Sequence, residues 1–185
     1  MYDHEYVNMD FVVSGFKSEE YECCTFSSCN FNNHILDGLK FIECEFSECD
    51  LSMVSLKGTV FRDCNFTNCK MLGTRFENCN DFLLSFNFYQ CQLKLCTFLE
   101  MKLKGTEFSG SDLQEADFSY ADLSQSKFNN CNLHRAIFEH SKLDKADLRH
   151  CSHFIIDPEL NSIKKAKFSL DGLPGLLHKY QIVID

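Results

Sequence analysis

The sequence predicts an all-β fold, a right-handed quadrilateral parallel β-helix that ends in a short C-terminal helix–strand cap. Three observations support this fold class. Large apolar residues recur at every fifth position, small or thiol-bearing residues lie two positions before them, and like residues recur at every twentieth position. Four-sided coils of twenty residues reproduce all three spacings, and such coils stack through backbone hydrogen bonds as parallel strands do.

The period of five is carried by two series of apolar residues. The first series runs from Phe11 to Phe76, and the second runs from Leu83 to Leu148, two residues out of frame with the first. On an α-helix a period of five would carry the apolar positions around the axis, and on a flat strand it would alternate them between faces. A chain that turns a corner every five residues places both series, Leu83 included, inside the coil.

The 12 cysteines invite a disulfide or metal interpretation, but their spacing favours packing. Every cysteine except Cys23 lies two positions before a position of one five-residue frame or the other, where side chains should point inward. Zinc sites usually pair cysteines two to four residues apart, and a free cysteine packs as a small hydrophobe. In the cluster of His150, Cys151 and His153, Cys151 should point inward and His150 outward. We therefore expect no metal site and no cofactor.

The repeats form one solenoid over residues 1–168, made of two blocks at 9–77 and 81–150. The remaining segment, 169–185, differs in composition and forms the cap. Asp171 can cap a short helix there, and the alternating residues that follow are typical of a strand. A cap is expected because the open end of a solenoid exposes unpaired strand edges.

The frame slips by two residues within 77–87, where turn-forming residues are concentrated. Two extra residues on a strict coil must bulge outward. The bulge is either a tolerated insertion or a contact loop that presents Asn78, Asn80, Asp81 and Phe82 to a partner, since loops on rigid scaffolds often carry function.

Composition and charge exclude several classes of function. The net charge of −9 disfavours direct binding of nucleic acid, which requires Lys and Arg to replace phosphate counterions. The N-terminus has no basic segment followed by an apolar stretch, so we expect no signal peptide and a cytoplasmic protein. No apolar run is long enough for a membrane span. A coil filled by its own side chains leaves no cavity for a substrate, so we predict neither catalytic residues nor enzymatic activity.

Acidic residues are concentrated in the first block, where Glu43, Glu45, Glu48 and Asp50 crowd around one coil. In the second block an acidic residue such as Asp117 directly precedes the apolar position, where it can form turn-stabilising hydrogen bonds. We expect no such role for the four residues of the first block. They form either a solvated face that keeps the protein soluble or an electrostatic surface for a basic partner.

The runs ADFSY, ADLSQ and ADLRH at 116–120, 121–125 and 146–150 match the motif A(D/N)LXX, so the chain resembles pentapeptide-repeat proteins over roughly residues 9–168. The first block contains the repeats CTFSS, CNFNN, CEFSE and CNFTN, which are similar to those of the Qnr-like quinolone-resistance and gyrase-toxin immunity group. This resemblance implies a non-catalytic DNA mimic that binds a type II topoisomerase, DNA gyrase or topoisomerase IV, and protects it from quinolones or toxins.

The same resemblance implies a homodimer, because members of that group form twofold dimers through a C-terminal helix and strand. The predicted dimer contacts are Leu173, Leu176, Leu177, Tyr180, Ile182 and Ile184. Two other functions stay open. The chain could be a scaffold or adaptor for an unrelated protein, because a fold does not determine a function. It could also be an enzyme or redox sensor that uses its cysteines.

Overall fold

The computed structural model describes residues 1–183 as a four-sided parallel β-solenoid with a short helical C-terminal cap, which confirms the predicted fold class. In this part of the chain no helix is long and apolar enough to cross a membrane. The strands are Glu5–Val7 (β1), Glu20–Glu22 (β2), Thr25–Ser27 (β3), Lys40–Ile42 (β4), Glu45–Ser47 (β5), Val60–Arg62 (β6), Cys64–Thr67 (β7) and Phe86–Tyr89 (β8). The helices are α1 (Phe11–Ser14), α2 (Pro174–Leu177) and the 3-10 turns Phe76–Asn78, Leu170–Gly172 and His178–Tyr180.

Each side of the coil is a ladder of parallel pairs. We name the faces A to D in chain order, by the inward residues Phe26, Phe31, Leu36 and Phe41. Face A carries the sheet β1-β3-β5-β7-β8, and face D carries the sheet β2-β4-β6. Faces B and C are joined by single bridges that continue up the stack. The strands are short because the chain turns a corner after every five residues.

The core is a stack of like residues along each face. Phe26 pairs with Phe46 at a register of twenty residues, and their rings stack at 4.8 Å. In the second block, Phe108 on face A and Phe118 on the opposite face C meet edge to face at 5.6 Å, with an interplanar angle of 82°. Edge-to-face contacts of this kind add to the free energy gained from apolar burial. Side chains therefore fill the interior of the coil.

The small residues two positions before each apolar residue have a second role besides packing. The Cys49 thiol lies 3.3 Å from the Phe26 carbonyl one coil below, to which it donates. The hydroxyls of Thr74 and Ser141 donate to the equivalent carbonyls at 2.9 Å. All 12 cysteines are free, and ten are buried. The interpretation of the cysteines as core residues is confirmed for these ten, whereas Cys79, also predicted to point inward, is only half-buried where the frame slips. Buried thiols such as that of Cys49 also donate to backbone carbonyl groups that face the interior.

The frame slip lies between two regular stacks. β7 and β8 pair at a register of 22 residues, with Phe66 opposite Phe88. Gln92 and Asp112 are again twenty residues apart. The extra residues leave the coil in a loop at 79–85, which we call the slip loop.

The prediction that Leu83 points inward is wrong. Leu83 is 57% exposed and occupies a left-handed corner with φ 56°. Phe86 is buried in its place, with its ring 6.4 Å from that of Phe61 and 5.0 Å from that of Phe88. The reason is that the inserted residues extend as far as β8. The side chain that fills the core is therefore that of Phe86, three residues after the position that the frame of the second block predicts.

The cap differs from the predicted helix and strand. Asp171 lies inside the turn Leu170–Gly172, which begins after Ser169, and it does not cap α2. α2 follows Leu173, and its first residue is Pro174, whose fixed φ suits that position. Ile182 and Val183 lie in no strand, because Gln181 adopts a left-handed turn (φ 51°) that changes the direction of the chain. Ile184 lies outside the described residues.

The cap is fitted closely onto the last coil. Leu176 packs against the buried core, and Phe154 lies beneath the cap and is buried. Gly172 and Gly175 lie directly on Phe154, and a Cβ at Gly175 would overlap the Phe154 carbonyl oxygen. The cap therefore covers the apolar end of the stack, and only glycine allows this close approach.

Candidate functional site

Face A and its two corners carry an acidic surface in the N-terminal half of the solenoid. The stretches 3–8, 23–28, 43–48 and 63–68 are four successive levels of this face, and none contains Lys or Arg. We call their carboxylates the acidic surface. It consists of Asp3, Glu5, Glu43, Glu45, Glu48 and Asp63, all of which are exposed.

The coil geometry explains how these side chains reach one surface. Glu45 is the first residue of β5, and it stacks through Thr25 above Glu5. Glu43 and Glu48 lie at the corners before and after β5, with φ 52° and 56°. A left-handed corner turns its side chain outward, and many residue types occupy such corners in this chain. The structure thus brings three of the four predicted acidic residues together on face A.

Hydrogen bonds orient the acidic surface without neutralising it. Asn65 Nδ2 donates to Glu45 Oε1 at 2.9 Å, and Ser28 Oγ donates to Glu48 Oε2 at 3.2 Å. Within residues 1–183, none of the six carboxylates forms an ion pair. Uncompensated charge on a flat sheet produces a strong local negative potential.

Asp50 has a different role, and the expectation that it lacks a turn-forming role is wrong. Its carboxylate accepts from the backbone N–H of Ser52 at 3.0 Å, as Asp117 accepts from Ser119 at 2.9 Å. Burial raises the pKa of Asp50, but the hydrogen bonds from Ser52 and Asn32 outweigh it and keep that pKa below the usual value. Asp50 therefore stabilises a corner of face B.

The slip loop presents apolar side chains beside this surface. Phe82 is 72% exposed, and the side chain of Asn80 accepts from its backbone N–H at 2.9 Å. Asp81 lies 3.9 Å from Lys102, and both are strongly exposed. Asn78 lies outside the loop, and its carbonyl accepts from Gly58 in the coil below. Three of the four residues predicted for a contact loop thus lie in it.

The loop and the acidic surface meet at one corner. Ser85 Oγ donates to Asp63 Oδ1 at 2.8 Å, and the Asp63 N–H donates back to Ser85 Oγ at 2.7 Å. Sequence reasoning missed Asp3, Asp63 and Leu83 as surface residues. For the first two a signal exists, because Asp3, Glu43 and Asp63 are separated by multiples of twenty residues and so share a corner.

A cleft of about 410 Å³ lies beside the slip loop, lined by Cys79, Leu84, Met101 and others. Burial, followed by the charge of Glu77, raises the pKa of the Cys79 thiol, so the nucleophilic thiolate is disfavoured. In the part of the chain that the structure describes, no group of three His, Cys, Asp or Glu side chains is placed to hold a metal ion.

The predicted dimer contacts divide into two sets. Leu176 packs onto its own solenoid. The others point outward, with Leu173 40%, Leu177 37%, Tyr180 54% and Ile182 56% exposed. Ile184 cannot be placed, since it follows the last described residue. The outer side of the cap is therefore an apolar patch.

Family models agree with this geometry. The model of pentapeptide repeats in eight copies matches residues 22–58 and 44–80, and the model of a pentapeptide repeat region matches residues 74–148. The chain belongs to the pentapeptide-repeat family. By sequence comparison, no curated protein matches this pentapeptide-repeat protein.

Solved structures share the fold of this pentapeptide-repeat protein. Full-length QnrB1, a plasmid-mediated fluoroquinolone resistance protein, is 17% identical with a TM-score of 0.52, over 98% of this chain and 99% of QnrB1. HetL from the cyanobacterium Nostoc, a pentapeptide-repeat protein involved in the regulation of heterocyst differentiation, is 19% identical with a TM-score of 0.41, over 93% of this chain and 87% of HetL. At 17% identity the likeness to QnrB1 concerns the fold alone.

Proposed function

We propose that this pentapeptide-repeat protein is a non-catalytic binding protein that occupies the DNA-binding surface of a type II topoisomerase, DNA gyrase or topoisomerase IV. Bound there in the cytoplasm, it would protect the enzyme from quinolones or gyrase toxins. The observation that carries the proposal is the acidic surface, with six exposed carboxylates and no Lys or Arg on four levels of face A. The shared fold with QnrB1, a fluoroquinolone resistance protein, supports it.

The spacing of the carboxylates suits a partner that normally binds phosphates. Successive levels are about 4.8 Å apart, so four levels extend over roughly 14 Å. Lys and Arg side chains that hold a DNA backbone would meet a row of charges of the same sign as its phosphates. Such contacts accelerate association and weaken as salt rises, because exposed charges are screened.

The slip loop supplies a contact of another kind. Phe82 and Leu83 are exposed in the loop whose Ser85 bonds to Asp63, and an aromatic side chain buried on binding is a frequent anchor of protein interfaces. We place the loop at the edge of the contact, with the carboxylates providing attraction over the remainder.

The deciding experiment is a gyrase supercoiling assay in the presence of a quinolone, with and without the purified protein. Protection or inhibition is expected at micromolar protein and low salt. The variant Glu43→Lys/Glu45→Lys/Glu48→Lys should lose the effect. The matched control is Glu19→Lys/Glu115→Lys/Glu139→Lys, which makes the same charge change at exposed sites away from the acidic surface and the slip loop. Absence of any effect of the parent protein on gyrase and topoisomerase IV would refute the proposal.

The alternative function, a scaffold or adaptor for an unrelated protein, is favoured by one observation. A mimic of DNA needs charge, whereas Phe82 and Leu83 offer an apolar contact. Leu83→Ser tests the loop, and Leu95→Ser is its control, because Leu95 is 50% exposed at a corner with φ 59°. If Leu83→Ser abolishes partner binding while the triple Glu→Lys variant retains it, the adaptor function replaces the DNA mimic.

We also propose a homodimer through the outer side of the cap, which carries Leu173, Leu177, Tyr180 and Ile182. Joining two solenoids at this end would place two acidic surfaces on one particle. Leu177→Asp should shift the protein to monomers in sedimentation velocity, with Leu170→Asp, 86% exposed before the cap helix, as the control. A dimer that persists in Leu177→Asp would exclude this interface.

A further inference from the structure

A surface of opposite charge adjoins the same edge of the solenoid as the acidic surface, in the C-terminal half of the solenoid. Five lysines along face D and the corner that leads to face A are exposed, and within residues 1–183 none of them forms an ion pair. We call them the lysine surface. They are Lys104, Lys142, Lys145, Lys164 and Lys165.

The coil geometry shows that the two surfaces occupy equivalent positions at different heights. Lys145 and Lys165 lie at left-handed corners with φ 60° and 59°, between faces D and A. Asp3, Glu43 and Asp63 occupy the same corner nearer the N-terminus, with φ 49°, 52° and 52°. One edge of the prism is therefore acidic at its N-terminal end and basic at its C-terminal end.

The carboxylates near the lysine surface are already engaged in turns. Asp144 Oδ1 accepts from Ser162 Oγ at 2.6 Å and from the Lys164 N–H at 2.9 Å. Asp122 Oδ1 accepts from the Ser124 N–H at 3.0 Å. Five lysines around two occupied carboxylates leave a net positive patch on a chain of net charge −9. A patch of this sign calls for an acidic partner.

The slip loop lies between the two surfaces. Along the corner, Ser85 lies one level beyond Asp63 and precedes the lysine levels. Phe82 and Leu83 protrude at this height from face D, 72% and 57% exposed. The edge thus consists of an acidic half, an apolar centre and a basic half.

We propose that this edge binds a second copy of the chain in antiparallel orientation. A twofold axis perpendicular to the solenoid axis, at the height of the slip loop, sets Asp3, Glu43 and Asp63 at the corner of each copy against Lys145 and Lys165 at the same corner of the other. Phe82 and Leu83 of both copies then meet at the centre. An isologous contact requires such self-complementarity, and an apolar centre with a charged rim is the usual anatomy of an interface.

The contact is expected to be reversible and sensitive to salt. One edge of a narrow prism cannot bury the area of an obligate dimer, so most of its attraction must be electrostatic. It is also separate from the cap dimer, since it lies along the side of the solenoid. In this arrangement each copy covers Asp3, Glu43 and Asp63 of the other, so the contact would compete with the proposed topoisomerase for this part of the acidic surface.

The test is a charge exchange in the background Leu177→Asp, which removes the cap contact. One variant makes the edge wholly basic: Asp3→Lys/Glu43→Lys/Asp63→Lys. The other makes it wholly acidic: Lys142→Glu/Lys145→Glu/Lys165→Glu. Sedimentation velocity over a concentration series, at about 0.05 M and about 0.5 M salt, gives the association state. The readout requires no topoisomerase, so its result is independent of the proposed function.

The parent edge should associate at low salt and dissociate at high salt. Each variant alone should be monomeric, and an equimolar mixture of the two should associate again. Phe82→Ser should weaken the parent contact, while Leu95→Ser should not. A parent that stays monomeric at low salt, or a mixture that fails to associate, overturns the proposal. So does binding of a DNA duplex by the parent that is lost in the acidic variant, because the lysines would then serve nucleic acid.

Discussion

The two blocks of the solenoid have the same coil and differ in what fills and covers it. In the first block, faces A and D stack phenylalanine, and cysteine columns line the corners, as in Phe46, Phe61 and Cys49. In the second block, faces A and C carry phenylalanine, while faces B and D carry leucine, and alanine replaces many cysteines. Both fillings are fully buried, so the fold requires volume at inward positions and not one residue type.

The outward positions differ in another way. The first block has an acidic surface on face A without ion pairs, whereas the second pairs Lys127 with Glu107 and Arg149 with Asp147 on the same face. Packing does not restrict these positions, because they point away from the core. Within residues 1–183 the six carboxylates of the acidic surface form no ion pair, which is why charge variants there can report on binding.

The largest expected effect tests whether the two fillings are interchangeable. Phe46 is buried between Phe26 and Phe66, whose rings each stack on it at 4.8 Å. Phe46→Ala should cost about 3–5 kcal/mol of unfolding free energy, because it removes a ring and leaves a cavity. Phe46→Leu, which copies the second block, should cost only about 1–2 kcal/mol. Urea unfolding followed by circular dichroism measures both.

Equal losses in Phe46→Ala and Phe46→Leu would show that the first block depends on stacked rings specifically. The matched change in the second block is Leu123→Ala, expected to cost about 2–5 kcal/mol at a buried position of face D. A loss well below 1 kcal/mol there would contradict equal packing of the two blocks.

The periodic part of the fold could be predicted from the sequence because each inward position obeys the same local rule. The rule fails where the chain departs from it. At the slip, only the structure shows that Phe86 and not Leu83 fills the core, since both are apolar and the register after an insertion depends on where the loop closes. The prediction of a strand in the cap was wrong for a similar reason. The left-handed turn at Gln181 depends on tertiary structure, which the alternation of apolar and polar residues cannot reveal.

The candidate site was partly predictable for related reasons. Glu43, Glu45 and Glu48 are close in sequence and lie on one face, so local clustering found them. Asp50 follows directly in sequence but lies around the corner, where it bonds to Ser52. Asp63 belongs to the surface although it is twenty residues away from Glu43. On a solenoid, spacing by one coil is a better guide to a shared surface than adjacency along the chain.

An intermediate effect tests the cysteine columns. Cys49→Ala replaces an inward thiol of the first block with alanine, which is common at the equivalent positions of the second block. It should cost about 1–2 kcal/mol of unfolding free energy, because volume and the contact to the Phe26 carbonyl are lost. Cys49→Thr should cost less, because Thr74 already makes the equivalent hydrogen bond at 2.9 Å. Thermal unfolding of both variants measures the difference. Greater damage from Cys49→Thr than from Cys49→Ala would show that the thiols act only as apolar filling.

The smallest expected effect is a difference in acid resistance between the blocks. The hydrogen bond from Arg149 lowers the pKa of Asp147, the hydrogen bond from Ser162 lowers that of Asp144, and the hydrogen bond from Lys179 lowers that of Asp157 beneath the cap. A carboxyl group with a lowered pKa stabilises the fold above its unfolded pKa of about 3.9, and this stabilisation is lost as the pH falls through the folded value.

Such carboxyls are concentrated in the second block and at the cap, so acid should loosen that end first. In the first block, protonation also removes repulsion within the acidic surface, which acts in the opposite direction. Pepsin digestion between about pH 4 and about pH 2, with the fragments identified by mass spectrometry, should therefore cut the C-terminal half at a higher pH than the N-terminal half. Asp147→Asn should reduce this dependence on pH because its side chain does not titrate. Cleavage of the N-terminal half at the higher pH would contradict this prediction. It would mean that protonation of the acidic surface, although it relieves repulsion, removes contacts stronger than the one between Asp147 and Arg149.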